Sequence, residues 1–329
     1  MSLQAFLDAG QNFDAEFGAG LSNHMPMALA ALTRLGADDL CLARFAQSYG
    51  QRLRPAPAAQ DWPAGHAWRS RLGEAAAWPA YRNLFLLWLL DEGAEPVLRA
   101  VLPVLMQGCS AAAFHGLIRT AYAVQSGHGR ELADGLAHWA SRWADLGPPS
   151  LQGPVADPWP LLKTMAAPAP PGNLIQERMQ QVVFGATTAA PFDHAVAQLH
   201  IDDKLLPRLA RLAARLYARS GNFTVLHLVT SAHAVRVLLP FIDEPLPAMA
   251  AYWRALAAGF VASGALFGRA SQALPWPELV AAALASPNDH LIKLVHSCRE
   301  EQQAWRGADD WQRAASRAVA QARTPERRT

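Results

Sequence analysis

The chain has 329 residues, 51% of them apolar and 17% charged, and a net charge of +2 with its eleven histidines neutral. That length buries a sizeable core in one large domain or two, and the apolar excess points to much buried helix surface. Arginines spread along the chain make no electrostatic case for nucleic acid, and Arg317–Thr329 reads as a solvated end.

Ala, Leu, Arg and Trp recur at three- and four-residue spacings, and strand-like alternation is scarce. The pattern predicts an all-α protein, a multi-helix bundle or array. In chain order the predicted helices cover 23–35, 38–53, 78–91, 94–106, 110–125, 129–145, 174–185, 203–219, 223–238, 246–264, 277–285, 289–304 and 309–322. Gly36 ends the first, Gly93 separates two, Ser126-Gly127 closes another, and Asn288 or Asp289 caps the helix that follows. Asp202-Asp203 reads as first-turn charge. The one clear composition shift runs from Gly147 to Gly172, with Ala166-Ala-Pro-Ala-Pro-Pro-Gly172 at its end. It reads as a Pro-rich connection that wraps the surface or joins two helical halves. No fixed-period repeat supports a solenoid.

The three cysteines, Cys41, Cys109 and Cys298, are far apart and odd in number, which fits free thiols in a reducing compartment. The N-terminus lacks a signal-peptide pattern, and apolar runs such as Leu84–Leu90 are too short to span a bilayer. The expected location is the cytoplasm, with no membrane partner.

Most routine enzyme motifs are missing. No Gly-x-Gly-x-x-Gly follows a strand, so no flavin or nicotinamide site is expected, and no phosphate loop appears. His-Glu-x-x-His, the paired Glu-x-x-His of di-iron bundles and the Gly-x-Ser-x-Gly elbow are absent as well.

Chemistry concentrates instead in histidine and one lysine. Only three of the 29 basic residues are lysines, and Lys293 sits in Asp289-His290-Leu291-Ile292-Lys293-Leu294-Val295, walled in by aliphatic side chains. A buried ammonium shifts its pKa, loses its charge or finds a partner; the plain alternative is a helix lysine that reaches water with its head group. His290 lies one turn earlier on the same face. His115 lies in the apolar Ala111-Ala112-Ala113-Phe114-His115-Gly116-Leu117-Ile118, where Gly116 lets another backbone or a ligand approach. His227 is mid-helix in Phe223–Thr230, His233 follows off its face, and His24 begins a helix beside Pro26. Neutral imidazoles on separate helices suit a first-row transition metal if they meet; otherwise each is a hydrogen-bonded core histidine. His66, His128, His138, His194 and His200 read as surface or structural, and His296, one turn past Lys293, fits either class.

The segments Asn23-His24-Met25-Pro26-Met27-Ala28-Leu29, Phe114-His115-Gly116-Leu117-Ile118-Arg119, Leu226-His227-Leu228-Val229-Thr230 and Asp289-His290-Leu291-Ile292-Lys293 resemble, in the same order, the questin oxidase-like family. The resemblance covers most of the chain and implies one helical domain over 1–329, with any subdivision near 147–172. Fungal relatives open or oxidise the rings of anthraquinones and related polyketides. The resemblance therefore implies an oxidoreductase, a non-haem metal-dependent oxygenase, with iron(II) held by His24, His115, His227 and His290 and with Lys293 as a fifth group. A neutral Lys293 amine can take up carbon dioxide to form a carbamate, a carboxylate surrogate on a long arm. The implied partners are an aromatic or phenolic small molecule and dioxygen. This chain departs from the fungal pattern at Met25, Met27 and Ala28, where the relatives are richer in histidine, and it is shorter.

Arg119 and Tyr122, one and two turns past His115, are candidates to orient a phenolate or carboxylate, or else a helix-surface arginine and a core tyrosine. Trp78, Trp88, Trp253 and Tyr252 are candidates for an aromatic wall, or core. Two further readings stay open: a non-catalytic helical protein binding a ligand or partner, and a cofactor-free oxygenase whose histidines act as bases. The sequence does not set the oligomeric state.

Overall fold

The computed structural model describes residues 2–148, 153–306 and 309–323. These residues form sixteen α-helices and one two-stranded sheet. In chain order they are α1 (Leu3–Gly10), β1 (Glu16–Phe17), β2 (Leu21–Ser22), α2 (Met25–Leu35), α3 (Asp39–Gly50), α4 (Trp78–Glu92), α5 (Ala94–Leu105), α6 (Ala111–Ser126) and α7 (Gly129–Ser141). There follow α8 (Pro158–Met165), α9 (Ile175–Phe184), α10 (Ala189–Ala197), α11 (Leu205–Ser220), α12 (Phe223–Leu238), α13 (Pro245–Ser263), α14 (Trp276–Leu284), α15 (Asp289–Trp305) and α16 (Asp310–Arg323). The all-α architecture is the one the helical spacing predicts.

The core is organised around α12, which packs against α6, α11, α13 and α15. Every residue from Thr224 to Val235 is buried, so this helix is enclosed on all sides, as a central helix must be, and its polar residues, His227 and His233 among them, point into the interior. The segment Phe223–Phe241 is long and apolar enough to cross a membrane, longer than the short runs seen in the sequence; here it is 72% buried in the bundle. Its start is capped by Asn222, whose side-chain oxygen accepts from the amides of Thr224 (2.9 Å) and Val225 (3.2 Å).

Three helices lie outside the predicted set. α1 precedes the first predicted helix and packs on α2 and α3. α8 lies within the Pro-rich connection: its prolines sit in the first turn, where a missing amide costs nothing, and Asp157 caps it through the Trp159 amide at 3.0 Å. α10 follows α9 after a short turn. Residues 149–152 of the connection lie outside the described residues. The end expected to be solvated is helical as far as Arg323, with Ala318 and Val319 buried where α16 packs on α11 and α15.

Helices α6 and α7 pack closely because Gly116 has no side chain. A Cβ there would lie 2.6 Å from the Trp139 Cα, so this glycine admits a neighbouring backbone and not a ligand.

Candidate active site

The hairpin β1–β2 leads into Asn23 and His24 at the start of α2. The Asn23 side chain accepts from the Met25 amide at 3.0 Å and donates to the Asp14 carbonyl at 3.1 Å. The His24 amide donates to the Tyr49 hydroxyl at 3.0 Å. These bonds fix His24 before the helix begins.

His115 is held differently. Ala112, Ala113 and Phe114 have φ of 46°, 56° and 70°, one left-handed turn at the entry to α6 where the sequence predicts a continuous helix. Left-handed backbone costs an L-residue about 1–2 kcal/mol, and such strain collects at functional sites. The turn is locked by the Ala112 amide donating to Gln176 Oε1 at 2.8 Å. It also aims the Ala112 carbonyl at Nδ1 of His115, which donates to it.

His227 rises from α12, its Nδ1 donating to the Phe223 carbonyl at 2.9 Å. On α15 the cap is Asn288, which accepts from the amides of His290 (2.9 Å) and Leu291 (3.1 Å). Asp289 is thereby released from capping. Its buried carboxylate accepts from Nδ1 of His24 and faces Nδ1 of His290 at 3.1 Å.

Ring nitrogens of His24, His115 and His290 come within 4.8 Å of one another. The His24 and His115 rings stack at 4.5 Å. His227 stands beside them, its centroid 5.0 Å from His115 and 5.5 Å from His290. All four Nδ1 atoms face oxygen acceptors, which leaves the Nε2 lone pairs; Nε2 of His24 and of His115 are buried with no partner. Holding Nδ1 on an oxygen acceptor while Nε2 stays free is how metal-binding imidazoles are oriented, so the residues present fit a transition-metal ion.

Electrostatics favour neutral rings. Burial, then the Lys293 charge, pushes His24 down to about 4 and His227 down to about 3. His115 and His290 are lowered well below the ordinary value by burial, then by His24. Burial lowers Lys293 to about 8 against the pull of Asp289. Burial works to raise Asp289, but the charge and hydrogen bond of His24, with His290 and Lys293, outweigh it and keep the carboxylate ionised.

The histidines open onto a cavity of about 360 Å³ walled by Phe17, Leu21, Leu174, Ile175 and Phe223. Phe223 lies over the cluster, 4.7 Å from the His290 ring and 5.0 Å from the His227 ring. A larger groove of about 770 Å³ runs along α11 and contains none of these histidines.

Several predicted residues are placed elsewhere. Arg119 does not line the cavity; it is buried between Glu131, at 2.6 and 2.9 Å, and Asp134, at 3.2 Å. Tyr122 lies deeper, its hydroxyl 2.9 Å from Nδ1 of His296. His233 does not replace one of the four cavity histidines: it pairs with Glu301 at 2.8 Å and faces His296. Trp78, Trp88, Trp253 and Tyr252 are packing residues outside the cavity. His66, His194 and His200 are exposed, whereas His128 and His138 are buried in structural bonds to the Glu131 amide and to Glu16. Sequence reading missed Asp289, because an acid at a helix start looks like a cap; the neighbouring Asn288, already sufficient for that task, was the available signal. It also missed Arg52, whose guanidinium lies 4.0 Å over the Tyr49 ring at the cavity rim.

The family model described as questin oxidase-like matches residues 21–298, a span that holds all four cavity histidines and Lys293. The chain belongs to the questin oxidase-like family. Membership brings an oxidoreductase family name to a cavity whose floor is four neutral imidazoles. No curated protein matches the chain.

Proposed function

We propose that this questin oxidase-like chain is a metal-dependent oxygenase acting on an aromatic, polyketide-like small molecule. Iron is the metal the family resemblance favours, with His24, His115, His227 and His290 as its nitrogen ligands. Lys293 would supply an oxygen ligand as a carbamate, formed when its neutral amine bonds to the carbon of carbon dioxide and releases a proton. Bound iron(II) would supply dioxygen binding and activation.

The observation that carries this reading is the set of four imidazoles, His24, His115 and His227 buried and His290 half-buried, whose Nδ1 atoms all face oxygen acceptors, three of them bringing ring nitrogens within 4.8 Å. The same surroundings weigh against a cofactor-free oxygenase. Imidazoles held at about 3 and 4 are weak bases at neutral pH.

The chain's own residues then divide the remaining work. Phe17, Leu21, Leu174, Ile175 and Phe223 accept a flat apolar ring system and exclude water. Asp289 orients His24 and His290. Arg52 takes the orienting role first expected of Arg119. Glu16 neutralises Arg142 on the cavity wall, whereas no carboxylate among the described residues pairs with Arg52. An acidic or phenolate group at the rim would meet it.

Oxygen uptake by the iron(II)-loaded protein in the presence of hydroxyanthraquinones and simpler phenols tests the reading. Uptake that requires both iron and the aromatic compound is expected. Arg52→Gln should raise KM for acidic substrates about tenfold, or 1.4 kcal/mol, with kcat unchanged. Iron bound stoichiometrically with no uptake for any of these compounds would favour a non-catalytic ligand-binding protein.

A further inference from the structure

A second buried polar group lies between the same three helices and takes no part in the cavity. Tyr122 on α6, His233 on α12 and His296 on α15 are each at most 2% exposed. They follow His115, His227 and His290 by seven, six and six residues. At 1.5 Å per residue this places them about 9–10.5 Å further along the helices. The Tyr122 hydroxyl lies 2.9 Å from Nδ1 of His296, and the two rings are 5.3 Å apart. The His233 ring is 5.4 Å from His296, and its Nδ1 is 2.8 Å from Glu301. Glu301 also accepts from Arg236 and from the Trp305 indole, both at 2.7 Å. Nε2 of His233 and of His296 are buried with no partner. An incompletely satisfied buried network of this kind costs stability that apolar residues would not, so packing alone does not account for it.

We propose that Tyr122 is a redox-active tyrosine, oxidised by one electron with its phenolic proton passing to His296. The proposal rests on the oxygenase reading for its oxidant, a one-electron oxidant of the class that dioxygen generates at a transition metal. That oxidant gains one electron. The Tyr122 O–H bond breaks, a bond from hydrogen to Nδ1 of His296 forms, and the products are a neutral phenoxyl radical and an imidazolium. A later one-electron donor of the thiol or ascorbate class returns the electron, and the proton moves back.

Three features suit the pair to this step. Removing an electron from a phenol that kept its proton would leave a cation in a low-dielectric interior, which an adjacent base avoids. Burial, then the neighbouring His233, keeps His296 unprotonated, so its Nδ1 is free to accept. The resulting imidazolium sits next to the His233–Glu301 pair, whose carboxylate is held ionised by His233 and Arg236 against the effect of burial.

Photo-oxidation of the metal-free full-length protein by a flash-quenched ruthenium polypyridyl complex, followed by electron paramagnetic resonance, tests the pair without any enzyme activity. A tyrosyl signal is expected, shifted in hyperfine structure by ring-deuterated tyrosine, lost in Tyr122→Phe and lost in His296→Leu. Should either variant fail to fold, 3-fluorotyrosine placed at position 122 alone must change the hyperfine pattern. A tyrosyl signal that survives Tyr122→Phe or ignores the fluorine, or tryptophan radicals alone in the wild type, would overturn the proposal. Because the ruthenium complex replaces the metal, this outcome is independent of whether iron binds.

Discussion

Lys293 has an unusual setting: it is buried beside an ionised Asp289, and its charge acts on His24, His115, His227 and His290. Its amine is lowered to about 8, where an ordinary lysine stands near 10.5. Carbamate formation consumes the neutral amine, so raising pH through about 8 should increase it and lowering pH should suppress it about tenfold per unit. Nuclear magnetic resonance of the protein in ¹³C-bicarbonate should show a carbamate resonance that grows between pH 7 and 9 and is missing from Lys293→Ala. A resonance unchanged in the variant would assign the carbamate elsewhere. Ala113 makes a second residue-scale prediction. Glycine at its φ of 56° should relieve left-handed strain of about 1–2 kcal/mol, offset in part by a backbone-entropy cost of about 0.5–1 kcal/mol. Ala113→Gly should therefore unfold at slightly higher denaturant while binding metal more weakly, since His115 is then less firmly placed. A stability loss would mean that the turn is held without strain.

At the scale of elements, the long helices were legible because their apolar period and their stop signals agree. Asn222 and Asn288 cap α12 and α15, and Gly36 and Gly127 close α2 and α6. Asn222→Ala should cost about 1 kcal/mol, read as a lower denaturation midpoint with an unchanged slope. The short elements were not legible. The prolines of α8 look like linker composition, and the entry turn of α6 is built from alanines, which favour a right-handed helix in isolation. Only tertiary bonds, the Ala112 amide to Gln176 among them, select the left-handed form. The spacing of the histidines likewise could not say which of them meet. His227 and His233 share α12, yet each faces a different cluster, as do His290 and His296 on α15. Arg119 was misplaced because its one-turn offset from His115 says nothing of Glu131 and Asp134, which come from α7.

Across the whole molecule, the candidate ligands come from the start of α2 and from α6, α12 and α15, segments separated by most of the chain. An ion held there binds only the folded state and stabilises it by mass action, by about 4 kcal/mol at about 1,000 times Kd. Anaerobic iron(II) or cobalt(II) should accordingly raise Tm by several degrees in the wild type and not in His24→Ala. The buried Tyr122–His296–Glu301 group lies along the same helices, so both clusters depend on how α6, α12 and α15 pack.

Metal content of the purified protein, set beside the His24→Ala and Lys293→Ala variants and with Arg52→Gln as a folded control, tests the central claim most directly. Near-stoichiometric iron in the wild type and in Arg52→Gln, lost in the other two, is the predicted result. A wild-type protein that stays metal-free after anaerobic iron loading would contradict the account of the four histidines as a metal centre.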